Sequence, residues 1–408
     1  MQAGLEGLFA IERDKFAFET LSANLLNGPA EFRFQWPEWL PVQPFDINDL
    51  LRLYRSELQE LAGSVDVLVG GPPCQGFSSA GKRDFSDPRN RLFESYLELI
   101  ALLRPRAVLM ENVRGFAVDF TRSDGVGNYA TRLRRGLREK YDMFERLLDV
   151  SDFGVPQSRT RYFVMTFEPG ICKEDPFDTL KNRLPSFLRT LGLRAPVPSW
   201  AAISDLEIAR GGTRPSSDTP GFQEIRYVKP LTAYQRMMSN GGKAPTDLRL
   251  ARHAEDIARR FKEIIEESHA GGRLNTNIDQ DLRDKYGLKK KALRVLDPDR
   301  PSPTVTSMPD DLLHYSEPRT LTVRENARLQ SIPDWFSFRG KYTSGGELRK
   351  QEVPRFTQVA NAVPPLVARA MGEMLVDILA ERESQDLPST ILKRLRTDGE
   401  MQVPERPA

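Results

Sequence analysis

The sequence predicts an α/β fold in which an open sheet of buried strands alternates with helices and an irregular module interrupts the second half of the chain. Three observations carry this. Residues 65–71, VDVLVGG, form a short apolar run that stops abruptly at Gly70-Gly71-Pro72-Pro73, as expected of a strand buried on both faces of a parallel sheet. Residues 106–113, RAVLMENV, repeat the pattern and end on Glu111 and Asn112. From about residue 172 to 316 the alternation of strand and helix gives way to Pro, Gly and Arg.

Composition sets the outer bounds. The 408 residues, 39% hydrophobic and 28% charged, suffice for two domains or one domain with an insertion. A formal net charge of +2 means that any surface for nucleic acid must be a local patch. There is no apolar run of about 18 residues and no signal-peptide pattern, which points to a cytoplasmic protein without a membrane partner. Two cysteines, Cys74 and Cys172, and three histidines provide no ligand set for a structural zinc.

In chain order, residues 8–14 (LFAIERD) read as a short strand ending in Glu12, followed by a helix with Phe16, Leu21 and Leu25 on one face. An acidic residue at a strand end is the usual ribose-hydroxyl ligand of dinucleotide-type folds, about 20 residues beyond a glycine-rich turn. Residues 1–7 instead read as a helix tail and a turn, and Glu12 alone is equally well a solvated carboxylate. Residues 27–44, rich in Pro, Trp and Phe, fit a surface connection. A helix is expected over residues 48–61, and Asp46 before it either caps that helix or contacts a nucleobase amine.

Beyond the strand at 65–70 stands Cys74. A free cysteine is most often a small buried hydrophobe. Two prolines before it and the loop Gln75-Gly76-Phe77-Ser78-Ser79 after it favour a backbone shaped around a ligand, at the sheet edge where α/β folds bind theirs. After a helix ending near Leu103, Glu111 and Asn112 reach that same edge if the two strands are parallel. A carboxyl group near a thiol is useful when a ring must be protonated as it is attacked.

A basic helix, a strand over residues 144–150, a loop with Gln157, Arg159 and Arg161, and a strand over 162–167 follow. Arginines at i and i+2 share one side of an extended segment, as solvated charges or as a grip on a carbonyl or phosphate. Within 172–316 only residues 251–268 show a convincing helical period. The run Lys289-Lys290-Lys291 suits phosphate contact or simply a solvated face. Thr322 with Glu325 three residues on forms a capping box, and Pro364-Pro365 open an amphipathic helix after Asn361. The tail after about 381 reads as frayed.

Taken together, GPPCQGFS at 71–78, ENV at 111–113, QSRTR at 157–161, RTLTVRENARLQSIPD at 319–334 and QVANAVPP at 358–365 resemble, in order, the motifs of the DNA (cytosine-5)-methyltransferase family. The resemblance implies a Rossmann-like methyltransferase sheet with helices on both faces and a smaller irregular target-recognition domain. It divides the chain into residues 1–171, the first part of the catalytic domain, 172–316, the target-recognition domain, and 317–408, the return to the catalytic domain. It implies Cys74 as nucleophile, Glu111 at N3 and the amine of the base, Arg161 with Arg159 at O2, and Asn112 fixing the nucleophile loop. S-adenosyl-L-methionine is the implied methyl donor, with Glu12 at its ribose, Asp46 at its adenine amine, Leu92 as an apolar wall, and Gly71, Pro73, Asn361 and Val363 along its methionine side. No metal is implied. Double-stranded DNA is the implied partner of a monomer that can pair functionally with a restriction endonuclease. The family's Gly-rich FxGxG loop would fall before Met1, and Arg13 stands where an aromatic often stacks on adenine, so weak cofactor binding by the 408-residue chain is expected. An RNA (tRNA) cytosine-5 methyltransferase and a non-catalytic DNA-binding relative are the competing readings.

Overall fold

Two apolar runs and a hairpin build the sheet that carries the site. The computed structural model describes residues 2–72, 91–117, 129–240, 242, 244–346, 348 and 351–386. Pro73 and Cys74, with the rest of the loop, lie outside the described residues, as does the chain beyond 386.

β1 (Val67–Gly70) and β2 (Ala107–Val113) pair in parallel, with Val67 opposite Ala107 and Gly70 opposite Met110. β3 (Asp142–Asp149) and β4 (Thr160–Phe167) pair antiparallel, and β4 also lies antiparallel to β2, giving the order β1-β2-β4-β3. The sheet is therefore mixed: β1 and β2 are parallel, the condition on which Glu111 and Asn112 reach the edge beyond β1, and β4 runs against its neighbours. The connection 150–159 contains only a 3-10 turn, and antiparallel strands can be joined by so short a link whereas parallel ones need a long crossover.

The helices in order are α1 (Lys15–Leu21), α2 (Ile47–Leu53), α3 (Arg55–Glu60), α4 (Arg91–Leu103), α5 (Tyr129–Leu137), α6 (Pro176–Thr190), α7 (Ser199–Ile203), α8 (Ile208–Gly211), α9 (Ala233–Ser239) and α10 (Glu255–Ala270). They continue with α11 (Gln280–Lys285), α12 (Val323–Leu329), α13 (Arg355–Asn361) and α14 (Pro365–Asp386). Short strands β5 (Thr213–Pro215) and β6 (Gln223–Ile225) make a hairpin, and β7 (Arg294–Val295) and β8 (Leu312–Leu313) a small parallel pair.

Alternation along β2 assigns its side chains to two cores. Ala107 and Leu109 join Phe163, Met165 and Phe167 of β4 against α6, α12, α13 and α14. Val108 and Met110 join Tyr162 and Val164 against Phe93, Tyr96 and Ile100 of α4 and Ala130 and Leu133 of α5. Helices thus cover both faces. A further cluster, Phe261, Ile264 and Ile265 of α10 with Leu282 and Val295, gives part of the irregular stretch a core of its own.

Three local expectations are corrected. Residues 8–14 form no strand: Gly7 and Glu12 carbonyls accept from Gln35 and Phe45, so this extended segment bonds to the following connection and not to a ladder. Among the described residues nothing pairs with the outer edge of β1, where Val69 is 62% exposed. The helix expected over 48–61 breaks at Tyr54 (φ −122°, ψ 31°), whose ring packs on Trp39 and Phe45. Residues 176–190 form a helix that sequence reading passed over, with Phe177, Leu180 and Phe187 buried at helical spacing. Pro185 inside it reads locally as a breaker. Residues 22–26 continue α1 as a π-helical turn.

Candidate active site

The site lies where β2 ends and β4 begins. Glu111 and Asn112 are the last polar residues of β2, and because β4 runs the other way its first residues, not its last, arrive there, with Arg161 opposite Val113. The Nε of Arg161 stands 3.0 Å from Oε1 of Glu111, with both side chains about five-sixths buried. Burial pushes the Glu111 carboxyl above its ordinary range, while the charges of Arg161 and Arg159 oppose the rise. A carboxyl held in this balance keeps its proton to a higher pH than a solvated one and, once ionised, accepts a hydrogen bond from a donor.

Arg159 is 5% exposed and carries its guanidinium inward. Its Nη2 donates to the Ala360 carbonyl (2.9 Å) and its Nη1 to that of Val305 (3.5 Å). Desolvation first, then the like charge of Arg161, pushes it down to about 9, with Glu111 pulling the other way. The two arginines and the carboxylate thus form one charged group, as the i, i+2 spacing anticipated, but with Arg159 locked to backbone and Arg161 to the acid.

Asn112, 2% exposed, donates through Nδ2 to the Pro72 carbonyl (3.1 Å) and accepts from its neighbour Val113 (2.9 Å). It therefore ties the end of β2 to the chain two residues before Cys74. Gly71 is beside it: a Cβ there would lie 3.6 Å from the Glu111 carbonyl and 3.7 Å from its Oε2. Gly70 is obligatory for packing, since a Cβ would fall 2.4 Å from the Tyr96 ring. Cys172, by contrast, is buried, its thiol pushed up to about 11 chiefly by desolvation, and its Sγ donates to the Glu174 carbonyl. That environment is inert.

A second group assembles where residues 8–14 meet the start of α2. The bond from Phe45 N to Glu12 O (2.9 Å) sets Glu12 next to Asp46. The half-buried Glu12 accepts from Asp14 N (2.7 Å), and burial raises its pKa. Asp46 caps α2, accepting from Asn48 N (2.9 Å), which realises one of its two sequence readings, and lies 3.7 Å from Arg13. Asn48 in turn accepts from Ser95 of α4 (2.6 Å), and Leu92, one turn earlier on that helix, is half-buried. Asn361 closes α13 and is exposed, and Val363 follows half-buried. Of the lysine run, Lys290 turns in to Asp310 (2.7 Å) and Asp311 (2.6 Å), while Lys289 and Lys291 are exposed.

Sequence reasoning gave no role to Gln157, which it named in the loop, or to Arg324, Arg328 and Gln330 of the 319–334 motif. Gln157 and Gln330 are both fully buried. Arg324 and Arg328 of α12 are too, the first facing Asp247 and the second bonded to Asp334 (2.6 Å) and Asp205 (3.2 Å). Charged residues spaced along a helix ordinarily mark a solvated face, and no local signal announced the reverse here.

A mixed sheet with helices on both faces, carrying a buried carboxylate paired with an arginine where β2 ends and β4 begins, defines a protein of α/β architecture with a charged site at its sheet edge. The chain belongs to the C-5 cytosine-specific DNA methylase family, whose model matches residues 1–377; it is a DNA cytosine-5 methyltransferase. It is 29% identical over 389 residues to the Type II methyltransferase M.DdeI of Desulfomicrobium norvegicum, covering 91% of this chain and 84% of that one. It is 32% identical over 322 residues to the Type II methyltransferase M1.HphI of Haemophilus parahaemolyticus, covering 76% and 68%. Its fold is similar to that of a prophage-encoded E. coli protein described as a DNA modification methyltransferase, with a TM-score of 0.60 at 21% identity over 93% of this chain and 94% of that one. Among the described residues no helix is long and apolar enough to cross a membrane.

Proposed function

We propose that the enzyme transfers a methyl group from S-adenosylmethionine to C5 of a cytosine flipped out of duplex DNA, through a covalent bond between Cys74 and C6. The observation that carries this is the Glu111–Arg161 pair at the end of β2, with the Asn112 amide on the Pro72 carbonyl two residues before Cys74. A stacked cytosine hides C6, so the base must leave the helix to reach such a buried pair.

Cys74, as thiolate, forms a bond to C6, and the electron pair displaced from the C5–C6 double bond makes C5 nucleophilic. Glu111 donates to N3 as this charge develops and accepts from the exocyclic amine. Arg161, with Arg159 beside it, holds O2, where negative charge also accumulates. Asn112 keeps the Cys74 loop in register with Glu111. S-adenosylmethionine supplies an electrophilic methyl group. Once C5 carries the methyl, water takes the C5 proton, that C–H electron pair re-forms the C5–C6 double bond as the Cys74 thiolate departs, and N3 returns its proton to Glu111.

The residues present suit that donor. Glu12 and Asp46, on segments joined by the bond from Phe45 N to Glu12 O, are proposed for the ribose diol and the exocyclic amine, and Leu92 for an apolar wall beside the ring. Gly71, Pro73, Asn361 and Val363 are proposed for the methionine portion. Residues 172–316 are proposed as the target-recognition domain, since loops on a rigid scaffold carry specificity. The names of the Type II relatives support a role beside a restriction endonuclease for a monomeric enzyme.

The test is transfer of radiolabelled methyl groups to unmethylated genomic duplex and to transfer RNA, with Cys74→Ala as control. Label on duplex only, abolished by Cys74→Ala, is expected. Label on transfer RNA would favour the RNA reading, and undiminished transfer by Cys74→Ala would remove the covalent mechanism. Duplex containing 5-fluorocytosine, whose C5 fluorine cannot leave as a proton does, should trap the adduct as a band that survives denaturation.

A further inference from the structure

A closed ring of hydrogen bonds surrounds Arg159. Gln330 donates from Nε2 to the carbonyls of Val359 (2.9 Å) and Ala360 (3.5 Å), and its Oε1 accepts from Gln157 Nε2 (3.0 Å). Gln157 also donates to the Leu329 carbonyl (3.2 Å), and its Oε1 accepts from Val305 N (3.0 Å). The carbonyl of that same Val305 accepts from Arg159 Nη1, and Arg159 Nη2 returns to Ala360. Gln157, Gln330 and Val305 are each at most 2% exposed. Among the described residues the Arg159 guanidinium has no anchors beyond these two carbonyls, and its Nε finds no acceptor.

The ring joins four chain segments: the turn before β4, the end of α12, the end of α13, and residues 302–305. The last of these leaves the irregular stretch and runs beside Gln157 and Ser158, with Ser158 N on Ser302 O (2.8 Å) and Ser302 N on Pro156 O (3.0 Å). Each of the two carbonyls that hold Arg159 belongs to a segment that a glutamine side chain fixes. A planar guanidinium between two fixed acceptors has its direction set by them.

We infer that Gln330, linked through Gln157, is a positioning residue for methyl transfer: it sets the direction of the Arg159 guanidinium and registers the segment leaving the recognition stretch with the catalytic edge. This rests on the reading that Arg159 acts at the base. Gln330 touches no substrate in this assignment, and its influence on the base travels through Ala360 and Arg159.

The experiment is a double-mutant cycle of Gln330→Met with Arg159→Lys, read by single-turnover methylation of unmethylated genomic duplex, by affinity for that duplex and by thermal midpoint. Gln330→Met is expected to slow transfer about 10- to 100-fold while duplex affinity changes by less than about two-fold. The double variant should be no slower than Arg159→Lys alone, because both remove the same function. Losses that multiply, or a Gln330→Met rate that falls only in step with the folded fraction, would overturn the inference and leave the role of Arg159 standing. A full rate in Arg159→Lys would overturn both. Gln157→Met opens the ring from its other side and gives the same cycle if Gln330→Met does not fold.

Discussion

Glu111 is where burial and charge act against each other most directly, and the balance has a pH signature. Its pKa is raised by desolvation, with Arg161 and Arg159 opposing. The protonated, donating form is therefore populated below the raised pKa and lost as pH rises through it. Under the proposed mechanism the single-turnover rate should fall on the alkaline side because of Glu111, at a midpoint above the ordinary carboxylate range. Glu111→Gln should slow transfer by about 10²-fold or more and abolish that limb. An unchanged alkaline limb in Glu111→Gln would show that another group titrates there. At this scale much was legible. Glu111 and Asn112 were picked out because polar groups at the end of a buried strand need a reason, and the two arginines by their i, i+2 spacing. Gln330 was not, since a glutamine inside a helix-end segment looks the same whether it faces water or closes a ring.

Among the elements, α12 shows how much a short helix owes to its ends. Thr322 accepts from Glu325 N (3.2 Å), and Glu325 reaches back to Thr322 N (2.7 Å) while receiving both Nη atoms of Arg319 at 2.8 Å. Thr322→Ala should cost about 1–2 kcal/mol, the upper end of the capping range because the box is buried. Glu325→Ala leaves Arg319 with Glu317 as its remaining carboxylate and should cost about 3–5 kcal/mol. Urea midpoints would check both, and equal small losses would mean that the box is merely local. The capping box was readable because it is a contiguous pattern. The direction of β4 was not read from side-chain pattern, since alternation is the same in either direction; the brevity of 150–159 was the available signal. The segment 8–14 had a strand's composition without a strand's partner, and composition cannot supply the partner. For α6 the period was present and was passed over, and the helix accommodates Pro185 in its interior.

Across the molecule, the β5–β6 hairpin and the chain after it are fastened to the catalytic body by a stack of cations and rings. Arg252 lies over Phe222 (4.1 Å to the ring centre), Arg249 stands 4.3 Å from Phe222 and 3.6 Å from Tyr342, and Arg355 of α13 covers Tyr342 at 4.2 Å. Asp218 takes the Tyr342 hydroxyl (2.8 Å) and Arg355 (2.6 Å), and Asp247 takes Arg355 at 2.8 Å. Tyr342 is the centre because two guanidinium groups share its ring. Tyr342→Phe keeps both stacks and loses one hydrogen bond, a cost of about 1 kcal/mol. Tyr342→Leu removes both stacks, adding about 0.5–2 kcal/mol for each. The two variants therefore separate ring from hydroxyl. The loss should also be local before it is global, because the hairpin's other apolar anchor is the small cluster of Leu206, Ile225 and Leu248. Amide exchange at residues 213–225 should quicken in Tyr342→Leu well before the strands of the main sheet respond. Uniform quickening through β2 and β4 would mean that hairpin and sheet open as one unit. Arg355 begins the helix whose far end presents Ala360 to Arg159, so loosening the stack should also slow methyl transfer more in Tyr342→Leu than in Tyr342→Phe.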